Sequence, residues 1–231
     1  MRPTTSNTLV LIPAREGSKG VPEKNSKSFA GGPSLTERAV LVAKKVFADQ
    51  QIVVSTDDDG LLEMAQRNGV VALKRSPELA SDTAGMLEVM LDAVSRHQPE
   101  PEFLMLLQPT SPFRTEEHLI QALNDFQDGD QALIAVNEPA GHPYYTLFEE
   151  RDGLLSKFNK NSVVRRQDLP PAYDVNGLLY LFKIADLRQK SWVEFERIRP
   201  LVVPKWQAID VDTPEDWWLA ETLYKAVFTA R

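Results

Sequence analysis

The sequence contains no cysteine, only three histidines and no long apolar run, and each shortage excludes a class of protein. Without cysteine, the 231-residue chain forms no disulfide and no thiolate metal centre. His97, His118 and His142 lack the paired spacing of a histidine zinc site. No apolar run approaches the roughly 20 residues of a transmembrane helix, and residues 1–8 lack a signal-peptide pattern. We therefore expect a cytoplasmic protein that has no membrane partner.

Positive charge is also scarce. The chain has 26 Lys and Arg against 33 Asp and Glu, a formal net charge of −7. This balance argues against a broad nucleic-acid surface, which needs clustered cations to displace counterions. It is compatible with a small phosphate-bearing ligand held by a few local cations. The length suits one domain with a sizeable core, and we predict a single domain over residues 1–231.

Short apolar runs alternate with longer amphipathic stretches along most of the chain. We predict strands at residues 9–12, 52–55, 70–73, 103–107, 132–136, 178–182 and 201–203. The predicted helices are 34–48, 61–68, 84–96, 116–126 and 213–227. This alternation is typical of βαβ units, and apolar runs without alternation indicate strands covered on both faces. We expect an α/β fold of Rossmann-like type, with a doubly wound, mostly parallel sheet.

One segment departs from this rhythm. Residues 137–174, which we call the excursion, contain several prolines and aromatic residues together with the pair Arg165 and Arg166. We expect the excursion to leave the main sheet. Prolines, aromatic residues and arginines are also favoured at protein interfaces.

The loop after the first strand carries the residue types that bind polyphosphate. Between Pro13 and Asn25 it contains two glycines and the cations Arg15, Lys19 and Lys24. Glycines let the backbone approach phosphate oxygens closely, while Arg and Lys neutralise their charge. The loop has neither the GxxxxGK[ST] nor the GxGxxG spacing, so neither a Walker loop nor a dinucleotide fingerprint is present.

Four ordered segments together resemble the acylneuraminate cytidylyltransferases, the CMP-sialic acid synthetase family. They are IPAREGSKGVPEKN at residues 12–25, RSPELASDTA at 75–84, LLQPTSPFR at 106–114, and Asn176, Gly177 and Tyr180 followed by IDVDTPED at 209–216. They span nearly the whole chain. The resemblance implies a nucleotidyltransferase fold and the reaction of CTP with a nine-carbon sugar acid to give the CMP-sugar and pyrophosphate.

The resemblance also implies roles for individual residues. Arg15 and Lys19 match triphosphate-binding positions and count as catalytic, as does Asp212. The residues matched to substrate binding are Ser18, Asn25, Arg75, Gln108, Thr110, Ser111, Arg165, Arg166 and Tyr180. Of these, Asn25 and Arg75 match positions around the cytidine, and Arg166 ranks before Arg165 as the arginine that binds the sugar. The excursion would mediate a homodimer and help to close the sugar site.

Asp210 and Asp212 match the family's magnesium-binding pair. Carboxylates two residues apart in an extended segment point the same way, and hard oxygen ligands suit Mg²⁺. The competing interpretation is that Asp212 only caps the following helix with Thr213. Another acidic run, Asp57-Asp58-Asp59, is interpreted as a solvated strand end and helix cap rather than a metal cluster.

Some positions depart from the family pattern and leave the sugar open. Asp174 stands near a position where relatives carry an Arg for the sugar carboxylate, and Tyr145 lies in a region where some place a Lys. The stretch around Arg165 and Arg166 also resembles the branch that activates legionaminic-type sugars. The alternatives are therefore activation of a legionaminic-type acid or of 3-deoxy-octulosonate, or an inactive nucleotide-binding homologue. A redox or flavin domain would need a glycine fingerprint that the sequence lacks.

Overall fold

The computed structural model describes residues 1–17, 20–81, 83–157 and 168–229. The strands are β1 Thr8–Pro13, β2 Ser28–Phe29, β3 Gly32–Ser34, β4 Ile52–Thr56, β5 Val71–Lys74, β6 Phe103–Leu106, β7 Ala132–Asn137, β8 Phe148–Arg151, β9 Leu154–Lys157, β10 Asp174–Lys183 and β11 Ile198–Val202. The helices are α1 Leu35–Ala43, α2 Asp59–Arg67, α3 Pro77–Ala80, α4 Met86–Arg96, α5 Glu116–Asp125, α6 Ile184–Leu187 and α7 Pro214–Tyr224.

Seven of these strands form one sheet, in the order β11-β7-β10-β6-β1-β4-β5. β10 runs antiparallel to both of its neighbours, and the other pairs are parallel. The predicted α/β fold with a mostly parallel sheet is confirmed.

Alternating side chains of the central strands face two different helix layers. Val10 and Ile12 of β1 belong to the cluster that contains buried side chains of α1, α2 and α5. Leu9 and Leu11 belong to the opposite cluster, which contains those of α4. Because side chains alternate along a strand, both faces of the sheet are apolar and covered, as a doubly wound sheet requires.

The strand order places a switch point beside β1. From β1 the chain moves outward through β4 to β5 and then crosses back to β6 on the other side of β1. The loops after β1 and β6 therefore diverge, and in open α/β sheets ligands bind in the crevice that such loops leave at the carboxyl ends of the strands. The fold thus predicts where the site lies.

The predicted elements differ from the structure mainly at their ends. β10 begins at Asp174, four residues before the predicted strand, and its pairing with β7 shifts register between Val175 and Tyr180. The side chains of Asn176 and Asn137 bridge this irregular stretch at 3.0 Å. Helix α1 ends at Ala43, short of the predicted residue 48, because the chain continues into hydrogen-bonded turns over residues 44–47.

The excursion forms a separate hairpin. β8 and β9 pair only with each other, and the exposed Leu154 and Leu155 follow one another without the alternation that would have revealed a strand. Residues 158–167, which include Arg165 and Arg166, lie outside the described residues. None of the helices in the described residues combines the length and the hydrophobicity of a membrane-spanning segment.

Candidate active site

A cavity of about 430 Å³ opens at the carboxyl ends of β1 and β6. We call it the central cavity; it draws residues from all the sequence motifs. Its lining residues are Pro13, Arg15, Gly20, Lys24, Asn25, Arg75, Met86, Gln108, Pro109, Thr110, Asp210 and Asp212. A neighbouring cavity of about 530 Å³ shares Arg15, Lys24 and Asn25 with it. The predicted Ser18 and Lys19 lie outside the described residues.

The loop after β1 is held in place by side chains on its inner side. Asn25 is buried, and its Nδ2 donates to the Arg15 carbonyl at 3.0 Å. The Thr36 hydroxyl in turn donates to the Asn25 carbonyl at 2.8 Å. Asn25 therefore supports the loop backbone as well as lining the cavity.

In the acidic run after β4, Asp57 and Asp58 have different structural roles. Asp58 is the N-cap of α2, and its Oδ1 accepts from the Leu61 amide at 3.1 Å. Asp57 Oδ1 accepts from the Glu16 amide at 2.8 Å. The interpretation as a strand end and helix cap holds for Asp58, but Asp57 anchors the loop after β1. Sequence reasoning missed this contact because the two residues are 41 positions apart.

Arg75 lines the central cavity and carries a buried donor. Its Nε donates to the Ser55 hydroxyl at 2.9 Å, which fixes the guanidinium plane. Its Nη2 is buried and has no hydrogen-bond partner among the described residues. Burial lowers the pKa of Arg75, while the Asp57 carboxylate acts in the opposite direction. A buried, unpartnered donor is costly, so this atom is suited to a polar ligand.

Arg114 holds the backbone of the 106–114 motif in place through hydrogen bonds. This buried guanidinium donates to the carbonyl oxygens of Leu178 at 2.5 Å and Gln108 at 2.6 Å, and burial lowers its pKa to about 9. It thereby ties the loop after β6 to the start of the buried part of β10. A Cβ on Gly177 would lie 2.2 Å from Gln108 Oε1, so a larger residue here would require the Gln108 side chain to move.

Asp210 lines the central cavity, and one of its carboxylate oxygens has no hydrogen-bond partner among the described residues. The Thr110 side chain hydrogen-bonds to this carboxylate, and the Thr110 carbonyl accepts from the Val211 amide at 2.9 Å. Asp210 Oδ1 is buried and has no partner in the described part of the chain. Burial raises the pKa of Asp210, and the charge of Asp212 raises it further.

Asp212 is exposed and bonded to a lysine. Lys24 Nζ lies 2.8 Å from Asp212 Oδ1 and also donates to the Val211 carbonyl at 2.9 Å. Helix α7 is capped instead by Thr213, to which the Asp216 side chain reaches back. Asp212 therefore does not serve as the helix cap, and its carboxylate is turned to Lys24. Lys24 could be found in the sequence because it belongs to the motif at residues 12–25. Nothing in the sequence indicated that it forms an ion pair with Asp212.

Two predicted site residues lie beside the cavity rather than in its lining. Ser111 is buried close to Gly177, where an added Cβ would lie 3.1 Å from its hydroxyl. Tyr180 is half-buried and packs on Phe182 and Trp192. Burial raises the pKa of Tyr180, and the nearby Asp210 charge adds to the effect.

The carboxylates of the cavity form a pair rather than a cluster. Among the described residues, no group of three or more His, Cys, Asp and Glu side chains is placed to hold a metal. Mg²⁺ in phosphate-binding sites commonly takes one or two carboxylates and completes its shell with substrate oxygens and water. The unpartnered Asp210 Oδ1 and the neighbouring Asp212 fit that pattern.

Two solved structures share this fold over nearly the whole chain. The CMP:2-keto-3-deoxy-manno-octonic acid synthetase complexed with CTP superposes with a TM-score of 0.61 at 20% identity, over 95% of this chain and 99% of that one. A cytidylyltransferase from Leptospira borgpetersenii gives a TM-score of 0.64 at 16% identity, over 96% of this chain and 88% of that one. At these identities the likeness establishes the fold.

Sequence comparison is more specific. Post-translational flagellin modification protein B of Campylobacter coli is 32% identical over 95% of this chain and 96% of its own length. The CMP-N,N'-diacetyllegionaminic acid synthase of Legionella pneumophila is 31% identical, over 93% and 95%. The N-acylneuraminate cytidylyltransferase of Streptococcus agalactiae serotype III is 32% identical over 90% of this chain, which spans only 51% of that protein.

The family comparison shows that the protein is a nucleotidyltransferase. The cytidylyltransferase family model matches residues 9–202, and the chain belongs to that family. The resemblance found in the sequence motifs is confirmed.

Proposed function

We propose that this protein transfers CMP from CTP to the anomeric hydroxyl of a nonulosonic acid and releases pyrophosphate. The observation that carries the proposal concerns two residues that line one cavity, Arg75 and Asp210. Each has a buried polar atom without a partner among the described residues, Nη2 of Arg75 and Oδ1 of Asp210. One is a donor and the other an acceptor, and the cationic Arg15 and Lys24 line the same cavity. The activities for which the Legionella and Streptococcus relatives are named support the same reaction.

Arg75 is proposed to recognise the base. Its free donor suits O2 and N3 of cytosine, which both accept hydrogen bonds, whereas N3 of uracil carries a proton. The buried Ser55 hydroxyl holds the guanidinium in place. Replacing Arg75 should therefore weaken CTP binding, and Ser55→Ala should raise the KM for CTP about fivefold with a smaller effect on kcat.

Cations from the loop after β1 are proposed to hold the triphosphate. Arg15 and Lys24 line the central cavity, and Lys19 belongs to the same loop. In the transfer, the sugar hydroxyl attacks the α-phosphorus as the bond to pyrophosphate breaks, and negative charge grows on the leaving oxygens. Fixed cations at those oxygens lower the barrier because they stabilise charge that is larger in the transition state than in the substrate.

Asp210 and Asp212 are the proposed ligands of Mg²⁺. When bound, Mg²⁺ would neutralise phosphate charge and polarise the phosphoryl group. Thr110 orients Asp210 through its side chain, and Lys24 restrains Asp212. Asp212, the more exposed of the two carboxylates, is proposed to help remove the proton from the attacking hydroxyl.

The sugar is proposed to lie on the side of Gln108, Ser111 and Tyr180, with Arg166 or Arg165 as the partner of its carboxylate. A legionaminic-type acid is the favoured alternative to a sialic acid. It is supported by the relative that is similar over almost its full length, whereas the chain spans about half of the streptococcal relative.

A homodimer is proposed on the basis of the excursion hairpin. Leu154 and Leu155 are 74% and 73% exposed, and Phe148 is 47% exposed. Apolar side chains at such exposure are typical of a surface that another chain covers. Sedimentation of the protein and of a Leu154→Glu variant would test the homodimer, and a monomeric wild type would contradict it.

A cytoplasmic location of the protein stays a prediction.

The reaction is tested by pyrophosphate release from CTP and Mg²⁺ with a panel of sugar acids. The panel contains N-acetylneuraminic, legionaminic, pseudaminic, deaminated neuraminic and 3-deoxy-octulosonic acids, and UTP, ATP and GTP replace CTP in parallel. We expect release with CTP and one nine-carbon acid, lost in Asp212→Ala and retained in the exposed control Asp59→Ala. Failure to bind CTP would contradict the proposal.

A further inference from the structure

The ammonium of Lys24 interacts with three consecutive residues of the segment that carries the carboxylates, Asp210, Val211 and Asp212. Its ammonium bonds Asp212 Oδ1 at 2.8 Å and the Val211 carbonyl at 2.9 Å, and its charge partly opposes the burial that raises the pKa of Asp210. The Lys24 side chain is only 13% exposed, whereas that of Asp212 is 67% exposed. The lysine is therefore held in the protein, and the aspartate reaches it from the solvent side.

This contact occupies one of the two carboxylate oxygens that Asp212 could offer to the proposed metal. A divalent cation bound to Asp212 Oδ1 would lie within a few ångströms of an ammonium that donates to the same atom. Two cations at so short a separation repel each other. The hydrogen bond to the Val211 carbonyl is a second contact that Lys24 must give up before it leaves the carboxylate.

A triphosphate offers Lys24 another partner. The lysine lines the same cavity as Arg15 and Gly20, on the loop where the phosphates are proposed to bind. Phosphate oxygens carry more charge than one carboxylate and accept charge-assisted hydrogen bonds of the same kind. Transfer of Lys24 to a phosphate oxygen would leave Asp212 Oδ1 without its cation.

We propose that Lys24 and a divalent cation are mutually exclusive partners of Asp212, so that metal loading depends on the nucleotide drawing Lys24 away. This inference rests on the proposed function. Lys24 is then a positioning residue that couples the binding of metal and nucleotide, in addition to any contact it makes with phosphate. Such coupling is reciprocal: metal and nucleotide each strengthen the binding of the other by the same factor.

The test measures metal binding without turnover. Mn²⁺ binding is followed by the loss of the free Mn²⁺ electron paramagnetic resonance signal, with and without the non-cleavable analogue cytidine 5'-(α,β-methylene)triphosphate. The proteins are wild type, Lys24→Met, Lys24→Gln and the charge-matched control Lys27→Met. Lys27 lies over the Trp217 ring at 4.1 Å. Thermal unfolding verifies that each variant is folded, and Lys24→Gln replaces Lys24→Met if the latter is not.

Without nucleotide, removing the Lys24 charge should raise the Mn²⁺ affinity about tenfold, because an opposing cation is lost. Lys27→Met should change it by less than about twofold. With the analogue, the affinity of the wild type should rise by a larger factor than that of the Lys24 variants. Equal changes for the Lys24 and Lys27 variants, or none, would overturn the inference.

A different result of the Mn²⁺ measurement would contradict the proposed function. If Asp210→Asn and Asp212→Asn leave Mn²⁺ binding to the complex with the analogue unchanged, the carboxylates are not the metal site. In that case the proposed function loses its metal centre, whatever Lys24 does.

Discussion

Gly20 lies directly against the carbonyl oxygen of Asp212. A Cβ built on Gly20 would be 1.9 Å from that oxygen, and the obstacle is backbone rather than a flexible side chain. The loop after β1 and the segment that carries the carboxylates are therefore in contact at this point. This contact sets the distance between the proposed phosphate and metal sites.

Gly20→Ala should push the two segments apart and reduce kcat/KM for CTP by about a hundredfold, since small displacements of reacting groups have effects of that size. The measurement is steady-state pyrophosphate release, accompanied by a melting curve. Gly60→Ala is the matched control, because its Cβ would meet only the Asp58 side chain, at 3.2 Å. Full activity of Gly20→Ala would show that the close approach is not required.

Asp57→Ala should weaken CTP binding by about tenfold, because the loop after β1 loses the acceptor for the Glu16 amide. Calorimetric titration with the non-cleavable analogue measures the effect. Asp59→Ala removes a carboxylate from the same run, but that side chain is exposed and pairs with Lys74. Equal losses in the two variants would mean that overall charge, and not loop anchoring, is responsible.

Asp210→Asn should abolish transfer and yet stabilise the fold by about 1 kcal/mol, because a buried carboxylate without a full set of partners is removed. Thermal unfolding at neutral pH provides the measurement. Asp212→Asn should also reduce transfer, but it should leave the free energy of unfolding within about 0.5 kcal/mol of wild type, since that carboxylate is exposed. Destabilisation by Asp210→Asn would show that its charge is compensated in the fold.

The free energy of unfolding should decrease at acidic pH because of His118. Its Nδ1 accepts from the Thr115 amide at 3.0 Å at the start of α5, and its Nε2 lies 3.3 Å from Gln207 Oε1. Burial lowers the pKa of His118, the Gln207 hydrogen bond opposes this, the Arg114 charge lowers it further, and the Glu117 charge raises it. The unfolded chain therefore takes up the proton first as the pH falls.

Stability from His118 is thus present above its ordinary pKa of 6.5 and is lost as the pH falls through the lower value of the folded state. We expect a loss of about 1 kcal/mol, the usual worth of a helix cap. Urea unfolding between about pH 7.5 and pH 5 measures it. His118→Gln should flatten this part of the profile more than His97→Gln, whose histidine is less buried. An unchanged slope in His118→Gln would contradict the assignment.

Much of the fold follows from local patterns in the sequence. The buried strands β1, β4, β6 and β7 are apolar runs that need no distant information, and each lies within a residue or two of its predicted bounds. The β8–β9 hairpin was missed because its residues are exposed and do not alternate. The early start of β10 was missed because pairing with β7, rather than its own apolar character, holds Asp174 in the sheet.

The sequence by itself determined the class of fold, the family and the residue types of the site, because hydrophobic periodicity and short motifs are local properties. Only the tertiary structure decided how those residues act on one another. Lys24 and Asp212 are 188 residues apart, yet form an ion pair. Asp57 supports a loop on another strand, and Arg114 supports the backbone instead of facing the cavity. Such contacts depend on how the sheet brings separate loops together at one edge, which no local pattern records.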